Sequence, residues 1–485
     1  MEYLLLLIAL FAAFILFTFL SSAKNRKKQV SILNEQWGKA REDYINLDKV
    51  RRYSGASSPG DGHKLSVQTM NDIDFDRLFT FVDRTTSKVG QQYLYDRLKK
   101  PMSEIKELRQ FDRQVTFFYN QEDTRILVQM ELLKLSSEKG YSVATLLADT
   151  IPEQPRWFNW LVIDVVILIS SFAMSIKWPL FFVLGILIAA FNVFYLNYLN
   201  KRYILHFTNS LPQLDLLIRA AKNISKLKIP FESRHIKDST DVFRHFQRLI
   251  NLIYFGYDVK GEANIAYLPL YLFDLLKSVL LIESFTIYGL LKLIKKNQAK
   301  IDNLFRYVGV IDTAISVASL RSGEIGTCLP VFTEEVKHFS IKDGIHPLVK
   351  NCVGNTINID KRSILLTGSN MSGKSTFLRM VSINALLSQT IYTCFAKEYR
   401  APILNLYSSI RIDDNLFQGK SYFFQEVSVM STLIDATDHS SQNLYVLDEI
   451  FKGTNTIERI ASAKAILSYL DQKKHIVFVS TCIYQ

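Results

Sequence analysis

Eight residues, Gly368-Ser369-Asn370-Met371-Ser372-Gly373-Lys374-Ser375, constrain this chain more than any other stretch. They match the pattern GxxxxGK[ST]. A short apolar run over 363–367 precedes them, and a helical pattern through Thr376, Phe377, Leu378 and Val381 follows. A strand that ends in glycine and turns into a helix leaves backbone N–H groups aimed outward at a positive helix terminus, which is a cradle for phosphate oxygens. In that setting residues 368–376 form the nucleotide-binding loop, and Lys374 reaches the β- and γ-phosphates. The Ser375 hydroxyl completes a Mg2+ shell. A second apolar run, 443–447, ends on Asp448-Glu449 about seventy-five residues later. A lone Asp-Glu at a strand end is ordinarily a solvated loop start. Paired with a phosphate loop, Asp448 is placed to hold Mg2+ and Glu449 to polarise an attacking water, so Lys374 and Glu449 are the candidate catalytic pair.

The second constraint is apolar length. Residues 4–20 form an unbroken apolar run followed by Lys24, Arg26, Lys27 and Lys28. That is close to the roughly 17–25 residues that span a bilayer as a helix. Glu2 stands where a cleaved signal peptide would carry basic residues, so an uncleaved anchor is expected. A second apolar region over 158–198 breaks at Lys177-Trp178-Pro179 and reads as a membrane hairpin with interfacial Trp157, Trp160, Tyr195 and Tyr198. Lys201 and Arg202 follow it, and the three crossings agree on one orientation. Asp164, the one ionisable side chain within either half, is expected to face the other helix. The run over 268–293 carries Asp274, Lys277 and Glu283 and reads as one long packed helix.

The remaining composition is permissive. The chain has 485 residues, 48% of them hydrophobic and 21% charged, which excludes a disordered chain and leaves room for two to four structural units. Cys328, Cys352, Cys394 and Cys482 lie far apart without a CxxC pair or an adjacent His, which favours reduced thiols over a zinc site. The net charge of +12 fits either nucleic acid or the cytoplasmic flanks of a membrane protein. Residues 29–156 and 203–321 read as helical, with a Gly/Ser/Pro-rich loop over 54–62 and an interruption at Lys228-Ile229-Pro230. After Ser322-Gly323 short β-type runs alternate with helices. The runs at 363–367, 443–447 and 475–479 read as buried parallel strands.

With these residues in place, the C-terminal region resembles the MutS family of mismatch-repair ATPases, a branch of the ABC-type ATPases. Thr367-Gly-Ser-Asn-Met-Ser-Gly-Lys-Ser-Thr-Phe-Leu-Arg379 is close to TGPNMSGKSTFLR, with Ser369 in place of Pro. The stretch 447–459 is similar to LDEIxRGT, and Gly344-Ile-His-Pro-Leu348 to the RHPL element. Gly419-Lys-Ser421-Tyr-Phe423, with Glu426, resembles the GxSxF loop. That resemblance implies a homodimer through the ATPase domains, with Ser421 acting in trans at the partner's ATP site. Upstream, Asp83-Arg-Thr-Thr-Ser-Lys-Val-Gly90 with Leu94, Leu98 and Pro101 resembles the start of the MutS helical core; alone it is a capped helix with a proline stop.

The expected fold class is therefore an α/β P-loop (ABC-type) ATPase domain preceded by an all-α core, with N-terminal and hairpin transmembrane helices. The expected division is an anchor at 1–22, a core-like segment at 23–156, the hairpin at 157–200, a core and lever segment at 201–325 and the ATPase domain at 326–485. The implied localisation is the inner membrane, multi-pass, with the ATPase domain cytoplasmic. The implied ligands and partners are ATP, Mg2+, DNA and the lipid bilayer.

Three departures from the family bear on function. The mismatch-reading N-terminal domain has no counterpart, and the interval that would hold a DNA clamp, 203–264, is short. Ser480-Thr481 begins the family's STH switch, but Cys482 follows, so a domain incomplete at its C-terminus, with its last strand short of partners, is expected. The leading reading is a membrane-anchored ATPase that switches a dimer on mismatched or structured DNA. The alternatives are a membrane-complex ATPase scaffold or regulator without DNA, and an inactive truncated product.

Overall fold

The computed structural model describes residues 2–56, 63–156, 158–196, 198, 207, 209–231, 234–254, 268–369, 372–411, 422–438, 442–451 and 455–481. Of residues 2–15, 18, 22, 234, 252, 422, 423, 425 and 456 it describes the backbone alone. The described part is rich in helix. In order these are α1 (Glu2–Gln36), α2 (Leu47–Ala56), α3 (Val67–Asp72), α4 (Phe75–Val82), α5 (Lys88–Lys99), α6 (Ile105–Asn120), α7 (Glu122–Leu132) and the single turn α8 (Thr145–Ala148). They continue as α9 (Phe158–Met174), α10 (Leu180–Phe191), α11 (Ser210–Ile224), α12 (Arg234–Asp241), α13 (Arg244–Tyr254), α14 (Leu268–Val279), α15 (Ile282–Lys296) and α16 (Gln298–Arg321). The C-terminal region adds α17 (Lys374–Thr390), α18 (Tyr422–Asp435) and α19 (Thr456–Gln472).

Two small sheets complete the fold. One has the order β1 (Val331–Phe332), β5 (Glu398–Ala401), β2 (His338–Gly344), β3 (Asn355–Asp360), with β1 and β5 parallel and the other pairs antiparallel. The other is all parallel, in the order β4 (Ile364–Thr367), β8 (Ile476–Thr481), β7 (Asn443–Asp448), β6 (Asn405–Ser409). Both faces of β7 and β8 are covered, so these strands are apolar almost throughout rather than alternating with polar residues. Leu444, Val446, Ile476 and Phe478 face α17, whose Phe377 ring lies 6.4 Å from that of Phe478. Tyr445, Leu447, Val477 and Val479 face Met430 and Leu433 of α18 and Leu470 of α19.

The helical region is organised on α16, which is buried along most of its length, and α5 crosses it closely. A Cβ on Gly309 would lie 2.5 Å from the Tyr93 Cβ, and one on Gly90 would collide with the Asp312 carboxylate, so glycine sets the approach at both points. Ser87 caps α5, its hydroxyl accepting from the Gly90 N–H at 2.9 Å. Asp312 of α16 accepts from the Thr86 N–H (2.8 Å), the Ser87 N–H (2.7 Å) and the Ser87 hydroxyl (2.6 Å). The capped helix read from 83–90 is therefore present, and α5 stops at Lys99, before Pro101.

The expected fold class and the expected membrane localisation are both corrected here. In place of an arrangement with transmembrane helices, the described residues form a helix-rich assembly with two four-stranded sheets. Among the described residues no helix is long and apolar enough to cross a membrane. The apolar region at 158–198 is cut by the turn before Pro179 and by a π-helical turn at Asn192–Leu196. The 17 residues of α9 and 12 of α10 are about 26 and 18 Å long, short of a hydrocarbon core of about 30 Å. The pair instead packs at its base on α14 and α15. Phe158 lies edge-on to Phe285 and Tyr288, and the Asn192 side chain donates to the Val279 carbonyl at 3.0 Å. Trp160, Ile163 and Leu187 remain exposed on its outer faces, and Asp164 Oδ2 is buried without a hydrogen-bond partner. The anchor expected at 1–22 falls in α1, where the side chains of 2–15 lie outside the described residues.

Two smaller expectations also change. The run at 268–293 is two helices, α14 and α15, because Leu281 takes a left-handed conformation (φ 53°) between them. The last strand is not short of partners, since β8 is paired on both edges, with β4 and with β7. Cys482 and the residues after it lie outside the described residues.

Burial raises the Asp312 carboxyl to about 6 from the ordinary 3.8. Between those values the folded chain keeps a proton that the unfolded chain has released. The stabilising contribution is therefore complete below about pH 4 and is lost as pH rises through about 6. The stability of the wild type relative to Asp312→Asn, from urea unfolding, is expected to fall by up to about 3 kcal/mol between pH 4 and pH 7. A difference that is constant or grows with pH contradicts the assignment.

Candidate functional site

The site forms at the carboxyl ends of β4, β8 and β7, where open parallel sheets place their ligands. The chain leaves β4 at Gly368 and turns through Gly373, whose φ of +89° lies in the left-handed region that glycine adopts without strain. Helix α17 then begins at Lys374, with Ser375 and Thr376 in its first turn. A Cβ on Gly368 would meet the Ser372 hydroxyl at 3.0 Å, so the loop closes tightly on itself. The Lys374 ammonium lies over the loop and donates to the carbonyls of Gly368 (2.7 Å) and Ser369 (3.0 Å). Asn370 and Met371 lie outside the described residues.

Asp448 ends β7 and draws the strand ends together. The Ser375 hydroxyl donates to its Oδ2 at 2.5 Å, and the Ser480 hydroxyl donates to its Oδ1. The first contact joins the start of α17 to β7, and the second joins β8, whose Ser480 pairs in register with Asp448. The serine and the aspartate chosen from the sequence as metal-shell residues are therefore in direct contact. Glu449 follows in a left-handed conformation (φ 50°), unusual for a residue with a side chain, and its N–H donates to the Ser480 carbonyl at 3.0 Å. It borders a cavity of about 620 Å³ lined also by Thr367, Arg459, Lys464 and Thr481. Ser421 lies outside the described residues, while Glu426, from the same expected loop, is buried in α18.

The site is tied to the helical region through α17. At its N-terminal end, Arg379 donates to the Asp72 carbonyl at 2.8 Å and lies 3.9 Å from Asp74. The buried Asp72 carboxylate accepts from the Ser408 hydroxyl (2.6 Å) and the N–H groups of Ile410 (3.1 Å) and Arg411 (2.7 Å), at the end of β6. Arg411 in turn pairs with Asp74 at 2.9 Å. At the other end, the buried Arg97 donates to the Thr390 carbonyl at 2.7 Å. Arg321 reaches the Tyr392 carbonyl (2.9 Å), the Thr393 hydroxyl (3.0 Å) and Asp112 (2.7 Å). Cations at a helix C-terminus match its dipole. His346, from the Gly344–Leu348 stretch, is held below the usual histidine value by burial and by Arg379, and its Nδ1 accepts from the Leu348 N–H.

The structure places the loop, Asp448 and Glu449 expected from the sequence beside one another at the strand ends. Sequence reasoning missed Ser480 as an Asp448 partner, although Ser480-Thr481 was singled out, because only the strand order shows that β8 adjoins β7. The Asp72 and Asp74 contacts with Arg379 and Arg411 carry no local sequence signal, since the partners are more than 300 residues apart.

Residues 364–485 match the family model described as MutS domain V. The chain is also similar to the DNA mismatch repair protein MutS of Caldanaerobacter subterraneus subsp. tengcongensis, 30% identical over 184 residues, or 36% of this chain and 20% of that protein. The protein of the same description from Petrotoga mobilis is 35% identical over 185 residues, 36% of this chain and 22% of that protein. That from Acetivibrio thermocellus is 32% identical over 178 residues, 35% and 20% of the two chains. The chain thus spans about a fifth of the length of the curated relatives it matches. The stretch that matches MutS domain V contains the whole constellation around Asp448.

Proposed function

We propose that the protein binds and hydrolyses ATP at the 368–376 loop, works as a homodimer, and uses nucleotide to control its hold on mismatched or structured DNA in mismatch repair or DNA maintenance. The observation that carries the reading is the Ser375–Asp448 contact at the start of α17. A helix-terminal hydroxyl and a strand-terminal carboxylate share one point in space, beside a lysine that satisfies itself on loop carbonyls. That donor set suits Mg2+, which takes oxygen ligands and would neutralise charge on the phosphates.

The chain's own residues have separable tasks. Backbone N–H groups of the loop and first turn bind phosphate oxygens at the positive end of α17. Lys374 exchanges the Gly368 and Ser369 carbonyls for phosphate. Ser375 and Asp448 hold the metal position, and Ser480 orients the Asp448 carboxylate. Glu449 is the group to accept a proton from the attacking water. DNA binding and dimerisation rest on the similarity to proteins described as DNA mismatch repair proteins.

Purified full-length chain is expected to hydrolyse ATP, with Lys374→Ala reducing turnover and nucleotide binding together. Glu449→Gln should retain binding and lose about 100-fold or more in turnover. Wild-type turnover equal to that of both variants contradicts the assignment. If Ser421 acts in trans, mixing inactive Lys374→Ala and Ser421→Ala chains builds one intact site per mixed dimer and restores up to about a quarter of wild-type activity. No recovery on mixing contradicts a shared site. Duplex DNA binding should weaken steeply with salt and change when ATP is added.

A further inference from the structure

The four cysteines are scattered in sequence, yet the fold brings two of them face to face. Cys328 follows α16 and Cys394 follows α17, and the two form an isolated antiparallel bridge. Each N–H donates to the other's carbonyl at 2.9 Å, which makes this a hydrogen-bonded pair. Such pairs hold their Cα atoms about 5.5 Å apart with both side chains on one face, inside the range that a disulfide spans. Both cysteines are free thiols here, Cys394 buried and Cys328 half-buried. They share a hydrogen bond that pulls the Cys328 thiol below its ordinary value, while burial first, and then that bond, lifts Cys394 well above it.

We propose that Cys328 and Cys394 form a peroxide-sensitive dithiol whose oxidation covalently closes the joint between α16 and α17. The two cysteines divide the chemistry between an accessible, more acidic thiol and a buried resolving thiol. The Cys328 thiolate attacks one oxygen of a hydroperoxide and becomes a sulfenic acid as the O–O bond breaks and hydroxide, or alkoxide, leaves with the electron pair. The Cys394 sulfur then attacks the sulfenic sulfur. The S–O bond breaks, the hydroxyl takes up the Cys394 proton and leaves as water. With hydrogen peroxide, two thiols become one disulfide and the peroxide becomes two waters.

The position gives the bond a consequence. Arg321 at the end of α16 already grips Tyr392 and Thr393, the residues just before Cys394. A disulfide adds a covalent tie at the same joint. It also closes a loop from 328 to 394 that contains β1–β4, the 368–376 loop and all of α17. The proposal does not depend on nucleotide binding.

The test uses full-length reduced protein exposed to hydrogen peroxide, alkylated, and digested without reduction for mass spectrometry. The expected main product is a peptide pair joined through Cys328 and Cys394, absent after dithiothreitol, with Cys352 and Cys482 alkylated. Oxidised protein should also melt several degrees above reduced protein, and Cys328→Ser should abolish that shift. Finding Cys328 as sulfinic or sulfonic acid without the linked pair overturns the proposal. Linkage spread equally over Cys352 and Cys482, or a melting shift that survives in Cys328→Ser, overturns it as well. The peptide map needs no variant, so a poorly folding Cys394→Ser protein would not affect the result.

Discussion

Helix α17 is held at both ends, and the rest of the C-terminal region depends on that restraint. Its first two turns are pinned by the Ser375 hydroxyl on Asp448 and by Arg379 on the Asp72 carbonyl. Its last turn meets Arg97 at the Thr390 carbonyl, and the chain just beyond it meets Arg321 at Tyr392. One face is buried against the parallel sheet through Leu378 and Val381. A helix of 17 residues is a rod of about 26 Å, so a displacement at its N-terminal loop cannot be absorbed locally. It must reach the α3–α4 corner, where Asp72 and Asp74 hold both α17 and the end of β6, or the joint with α16.

Charged groups are tolerated inside where they satisfy the chain's own donors. Asp72 and Asp312 are buried carboxylates, and each accepts from several backbone or hydroxyl donors at chain turns that would otherwise leave N–H groups unsatisfied. Asp312 fixes the start of α5 against α16, and Asp72 fixes the end of β6 against α3. Both junctions join segments more than 200 residues apart in sequence. They are specific contacts between distant parts of the chain, with glycines at 90 and 309 giving the helices room to approach.

Much of the local structure was legible in the sequence because its causes are local. The strand, glycine and helix order at 363–381, the capped helix start within 83–90 and the stop before Pro101 follow from backbone geometry and capping. The three apolar runs read as parallel strands are β4, β7 and β8. What was not legible depends on length or on order in space. Apolarity at 158–198 is common to a membrane hairpin and a packed one; the π turn at 192–196 and the short helices separate them. The expectation of a last strand short of partners came from motif order along the chain, whereas in space β8 inserts between β4 and β7. The Cys328–Cys394 pair was invisible for the same reason, since spacing along the chain says nothing about a bridge between two loops.

Hydrogen–deuterium exchange of the full-length chain, with and without MgATP, tests the central claim most directly. If the 368–376 loop binds nucleotide and α17 carries the restraint outward, the amides of 372–376 should exchange more slowly with nucleotide. Those of 69–72 and 408–411 should change with them. Saturating MgATP that leaves exchange at 372–376 unaltered would contradict the account.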